Sequence, residues 1–129
     1  MSVHFVLLLM VFCHVVDDYY LQGILANLKQ KSWWKQNAPG EKYKNDFVVA
    51  LIIHAFSWAF MVMLPIFFVE SWEPSWWLYI VFVVNLVIHA VIDHLKANEK
   101  VINLIQDQSI HILQIIATWT LWALIKQTY

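Results

Sequence analysis

Histidine and aspartate recur in this chain at one spacing. His14, Asp18 and Gln22 follow in steps of four. Asn85, His89, Asp93 and Lys96 follow in steps of four, four and three, and Asp107, His111, Gln114 and Thr118 in steps of four, three and four. His54 and Ser57 add a shorter stripe. On a helix, residues three and four apart share a face. An imidazole nitrogen and a carboxylate oxygen one turn apart can therefore reach the same cation. His14, Asp18, His54, His89, Asp93, Asp107 and His111 form the candidate metal-ligand set. Nitrogen and carboxylate donors suit a divalent metal, zinc first with manganese or iron as alternatives, and Cys13 is the one thiol. Seven ligands exceed the needs of one tetrahedral ion, so a two-metal site with some residues in an outer layer fits them. Asp18 and Asp107 are candidate general bases. Gln22, Lys96 and Gln108 are candidates for holding a substrate, although Lys96 could instead snorkel to headgroups. Two other chemistries use the same residues: a His–Asp hydrogen-bond network without metal, and a proton or ion pathway.

The elements that must carry these stripes belong in a bilayer. Hydrophobic residues make up 61% of the 129 residues, aromatic residues 16% and charged residues 13%. Soluble domains run nearer half apolar and a quarter charged, and one small core could not hide this much apolar surface. A spanning helix needs about 20 mainly apolar residues. Four segments meet that need, at about 3–25, 47–69, 76–95 and 101–125, the third entered through the interfacial pair Trp76-Trp77. The expected fold is all-α: one membrane domain over 1–129, a bundle of four transmembrane helices.

Lysines set the orientation. Residues 26–46 hold Lys29, Lys31, Lys35, Lys42 and Lys44, and residues 96–100 hold two more, whereas 70–75 holds two acids and no base. Positive charge favours the cytoplasmic side. This makes 26–46 a cytoplasmic basic loop and puts both termini outside, with Lys126 the one base on the wrong side. Trp33-Trp34 suits a segment lying along the membrane surface. All four stripes then fall at one level, toward the cytoplasmic face. Each aspartate there resists burial, by roughly 2.5–3.5 kcal/mol at a helix centre, and needs a partner. His4 and His94 lie off the stripes, and Asp17 points about 100° from Asp18 in a regular helix.

A net charge of −1 gives no support to a nucleic-acid partner. The expected partner is the lipid bilayer, and the exposed aromatics permit a homo-oligomer. One cysteine excludes a disulfide framework. The first apolar stretch has no base before it and no small-residue cleavage site after it, so it reads as a retained helix.

The order H-x3-D-x3-Q at 14–22, His54, H-x3-D-x2-K at 89–96 and D-Q-x2-H at 107–111 resembles the domain-of-unknown-function 3307 family. These are small membrane proteins of bacteria and their phages. The resemblance covers about residues 10 to 115 and implies a multi-pass protein of the bacterial inner membrane, in some cases phage-encoded. Two positions depart from the family pattern: Asp17, where a small residue is usual, and Trp58, where a histidine often follows His54 by one turn. The motif style is similar to that of inner-membrane metal-dependent hydrolases and, more distantly, of all-helical zinc phospholipases and nucleases. The function this implies is a membrane-embedded metal-dependent hydrolase acting on a lipid or lipid-linked (phospho)ester at the cytoplasmic leaflet. The alternative is a non-enzymatic membrane protein, either an ion or proton pathway or a holin-like interaction protein.

Overall fold

A computed structural model describes residues 1–128, and all regular structure among them is helical. The six α-helices are α1 Val3–Val15, α2 Leu25–Leu28, α3 Lys31–Asn37, α4 Asp46–Val69, α5 Trp76–His94 and α6 Leu104–Thr128. Widened π-helical turns extend α1 over Val16–Leu21 and α5 over Leu95–Glu99, and a 3-10 turn covers Glu41–Tyr43. Four of these units are long and apolar enough to cross a membrane: Val3–Leu21, Glu41–Val69, Trp76–Glu99 and Leu104–Lys126. The chain is a helical membrane protein.

Local chemistry explains two shifted boundaries. The first span stops at Leu21 instead of running to residue 25, because Gly23 takes φ +51°, a left-handed conformation that ends a helix. The fourth starts at Leu104 instead of residue 101. Asn103 Oδ1 accepts from the Gln106 amide at 2.9 Å, and Gln106 Oε1 accepts from the Asn103 amide at 2.9 Å. This reciprocal pair is a capping box, and it sets the helix start.

α1, α4, α5 and α6 pack in a ring, each against two neighbours, with α2 and α3 laid on α4. α4 is the most buried span because small residues allow close approach: Ala50, Ala55 and Ala59 interleave with Trp58, Val62, Met63 and Ile66 on its inward faces. The Trp119 indole donates to the Val3 carbonyl at 2.8 Å, and Glu70 accepts from Trp122 at 2.9 Å and from Lys126 at 3.2 Å. Both termini and the α4–α5 turn therefore share one end of the bundle. The half of the interior nearest that end is a dry plug of Val6, Met10, Val62, Met63, Ile66, Ile115 and Trp122. The polar stripes occupy the opposite half.

The segment 26–46, expected as a cytoplasmic basic loop with a part lying along the membrane surface, is in part a structural member of the site end. Asn98 pins it: its Oδ1 accepts from the Lys31 amide at 2.7 Å and its Nδ2 donates to the Lys29 carbonyl at 3.0 Å. Trp34 turns its indole N–H back onto the Leu28 carbonyl at 2.7 Å.

Candidate metal centre

The four spans deliver their histidines and aspartates to one buried layer. α4 supplies His54, α5 His89 and Asp93, and α6 Asp107 and His111; none is more than 2% exposed. Asp17 and Asp18 come from the π turn that follows α1. Hydrogen bonding from i to i+5 widens that turn, and each residue advances less than in an α-helix. Two consecutive aspartates can thus both face inward, at 1% and 9% exposure.

Ligand-bearing atoms converge in three overlapping groups. Asp18, His54 and His89 form one, His89, Asp93 and His111 the second, and Asp18, Asp107 and His111 the third; within each, the atoms lie within 4.8 Å of one another. His89 Nε2 is 3.2 Å from His54 Nε2, and His89 Nδ1 is 3.2 Å from His111 Nδ1. His54 Nε2 lies 3.3 Å from both Asp18 Oδ1 and Asp93 Oδ2.

Hydrogen bonding leaves several buried donor atoms of the layer unpartnered. His111 Nδ1 lies 3.1 Å from Gln114 Oε1, an atom that can only accept, so the ring proton belongs on Nδ1. Nε2 of a neutral His111 then points a lone pair at Asp107 Oδ1, 3.4 Å away, and Asp93 Oδ1, 3.7 Å away. His111 Nε2 and Asp107 Oδ1 have no hydrogen-bond partner, nor do Asp17 Oδ2 and His54 Nδ1. Charge tells the same story. Four buried carboxylates, Asp17, Asp18, Asp93 and Asp107, meet two ammonium groups, Lys29 on Asp93 Oδ2 at 2.6 Å and Lys96 on Asp107 Oδ2 at 2.7 Å. Four negative against two positive leaves a formal −2 when the imidazoles are neutral. Unanswered buried charges cost several kcal/mol each, against a net fold stability of about 5–15 kcal/mol. A cation or protons must make up the difference, and the donor set fits a divalent ion.

Not every expected ligand enters these groups. His14 stands beside them with both nitrogens engaged: Nδ1 accepts from the Trp58 indole at 2.8 Å, and Nε2 donates to Gln108 Oε1 at 3.1 Å. Gln108 passes the link on, its amide donating to Asp18 Oδ2 at 2.8 Å and Asp107 Oδ2 at 3.0 Å. Gln22 donates to the Asp18 carbonyl at 2.6 Å and so braces the π turn. His4 packs near Trp119 at the termini end, and His94 pairs with Glu99 at 3.1 Å outside the layer.

Three members of the site were not singled out by spacing. Lys29, expected in the cytoplasmic basic loop, is 8% exposed and inserted under Asp93. Asp17 joins the layer through the π turn. Trp58, fully buried, stacks on His89 with ring centroids 4.2 Å apart and roofs the layer. Its place one turn after His54 was the available signal. For Lys29 the sequence holds none, because its burial depends on the break at Gly23 and the clamp at Asn98.

Beyond the roof, Gln114 Nε2 donates to the Asn85 carbonyl at 3.2 Å, and Asn85 Nδ2 donates to Thr118 Oγ1 at 2.8 Å. The polar column stops there, against the apolar plug. No curated protein and no solved structure matches the chain. The sequence pattern of the family described as "Protein of unknown function (DUF3307)" matches residues 5–129, nearly the whole chain, and the chain belongs to that family.

Proposed function

We propose that the buried layer holds one or two divalent metal ions, zinc first among the candidates, and that the protein is a membrane-embedded hydrolase of a lipid or lipid-linked (phospho)ester. The observation that carries this reading is the convergence of the His111 Nε2 lone pair with Asp93 Oδ1 and Asp107 Oδ1 in a buried polar layer. Asp18, His54 and His89 form one donor group and His89, Asp93 and His111 another, with Asp107 Oδ1 beside His111. A bound divalent ion supplies an acidified water and a polarised ester oxygen.

The chain's own residues do the rest. Asp107 Oδ1, free of hydrogen bonds while Lys96 and Gln108 hold Oδ2, is placed to take the proton of an attacking water. Asp18, oriented by the same Gln108 amide, is the base instead where the metal leaves its carboxylate free. Trp58 and the plug exclude water from the far side. Lys96 and Gln22 stand at the open mouth, where a polar headgroup would arrive sideways from the leaflet. Positive charge in the lysine-rich connections supports a mouth at the cytoplasmic leaflet, and a bacterial inner membrane is the proposed setting.

Elemental analysis of the purified protein tests the reading. Stoichiometric metal is expected, lost together in His89→Ala and His111→Ala, while Asp107→Asn retains metal and loses hydrolysis of phosphate-ester lipids in vesicles. A folded, monodisperse protein without metal overturns it.

A further inference from the structure

The site end of the bundle contains a cavity of about 530 Å³ lined by Gln22, Lys29, Gln30, Asp93, Lys96 and Lys100. Its size is that of a small-ligand pocket. Asp93 ties it to the metal-ligating layer, since the same carboxylate meets Lys29 on one oxygen and faces His111 with the other. Three ammonium groups line the cavity against this single carboxylate.

Lys100 is the least expected of the three. It takes φ 56°, in the left-handed region, where the chain leaves the π turn after α5. Glycine or asparagine ordinarily fills such a position, and a lysine there is strained. Its backbone amide donates to the Leu95 carbonyl and closes the π turn, but its ammonium makes no ion pair or hydrogen bond among the described residues. Lys29 and Lys96 are in the opposite condition, each held on a ligand carboxylate at 2.6 and 2.7 Å. A divalent cation answering Asp93 and Asp107 would leave both ammonium groups short of an anion. With a second cation on the remaining carboxylates, Asp17 and Asp18, the three lysines would carry three unmet positive charges at the cavity wall.

We infer that this cavity is a phosphomonoester-binding subsite, with Lys29, Lys96 and Lys100 taking the phosphate oxygens beside the metal-ligating layer. It rests on the proposed metal centre, because a cation on the carboxylates is what frees Lys29 and Lys96. Three ammonium groups suit the dianion of a monoester better than the single charge of a diester. The monoester can be that of a lipid headgroup or a free phosphate.

Isothermal titration of the metal-loaded protein with inorganic phosphate in neutral detergent reads the free-phosphate arm. The lipid arm uses phosphatidylcholine nanodiscs doped with phosphatidic acid, a monoester, or phosphatidylglycerol, a diester, and mass spectrometry of the lipid retained on extraction. Binding in either arm is expected to fall at least tenfold in Lys100→Gly and to persist in Lys100→Arg. Lys100→Gly should also raise the thermal midpoint, because glycine relieves the left-handed strain, so weakened binding cannot be ascribed to a damaged fold. Binding of inorganic phosphate, or selective retention of phosphatidic acid, supports the subsite and tells the two sources apart. Equal retention of phosphatidylglycerol, unchanged binding in Lys100→Gly, or no binding in either arm overturns it. Stoichiometric metal without phosphate binding removes the subsite and leaves the metal centre, whereas folded protein that takes up no metal removes both.

Discussion

Oδ2 of Asp17 and Nδ1 of His54 face each other 3.9 Å apart inside the bundle, and neither atom has a hydrogen-bond partner. Ser57 fixes the other carboxylate oxygen at 2.5 Å, so Asp17 cannot swing away from the ring. The negative charge beside Nδ1 favours the tautomer with its proton on that nitrogen, which leaves Nε2 with its lone pair toward Asp18, Asp93 and His89. Outer carboxylates of this kind set the tautomer of a ligand histidine, and their loss costs roughly 10–100-fold in metal affinity. Asp17→Asn should weaken metal binding by that factor in a chelator competition, with the helical circular dichroism unchanged. An affinity equal to wild type would leave Asp17 without this role.

Lys29 should be tested against its partner. Replacing it with methionine strips the closest positive charge from Asp93, which is 2% exposed. Breaking one side of a buried pair costs about 3–5 kcal/mol, while removing both charges is far milder. Lys29→Met should lower the unfolding midpoint in detergent sharply, and Lys29→Met with Asp93→Asn should recover most of it. Saturating metal should recover part of the single variant's loss as well, by answering the same carboxylate.

Trp58 separates stacking from hydrogen bonding. Trp58→Phe keeps an aromatic face over His89 but removes the donor to His14 Nδ1, which leaves a buried acceptor open at about 1–3 kcal/mol. Trp58→Ala also opens a cavity at the roof, a change worth about 3–5 kcal/mol for a large aromatic side chain. The order of unfolding midpoints should be wild type, Trp58→Phe, Trp58→Ala.

Conduction should be absent. The polar column from His111 through Gln114, Asn85 and Thr118 ends on Val62, Met63, Ile66 and Trp122. Proteoliposomes carrying a pH-sensitive dye should hold an imposed proton gradient as well as empty liposomes do, and Asp93→Asn should not alter the rate. A leak abolished by that substitution would favour transport over hydrolysis.

The apolar runs and the periodic His–Asp stripes are local properties, and they suffice for much of this protein. Length and hydropathy alone select four spans, because a bilayer demands about 20 apolar residues in any helix that crosses it. Spacings of three and four put His89 with Asp93 and Asp107 with His111 on single faces, whatever those faces meet. Long-range geometry decided the remainder. Asp17 faces inward because the turn after α1 widens, a change of helix type that periodicity at 3.6 residues cannot express. Lys29 is buried because Gly23 breaks the chain and Asn98, 69 residues further on, clamps its carbonyl. His14 sits on the right face and at the right depth, yet Trp58 and Gln108 occupy both its nitrogens, and those partners come from two other helices. Spacing along one helix says which side chains share a face. Which atoms still have a free lone pair is settled only when all four faces close on one another.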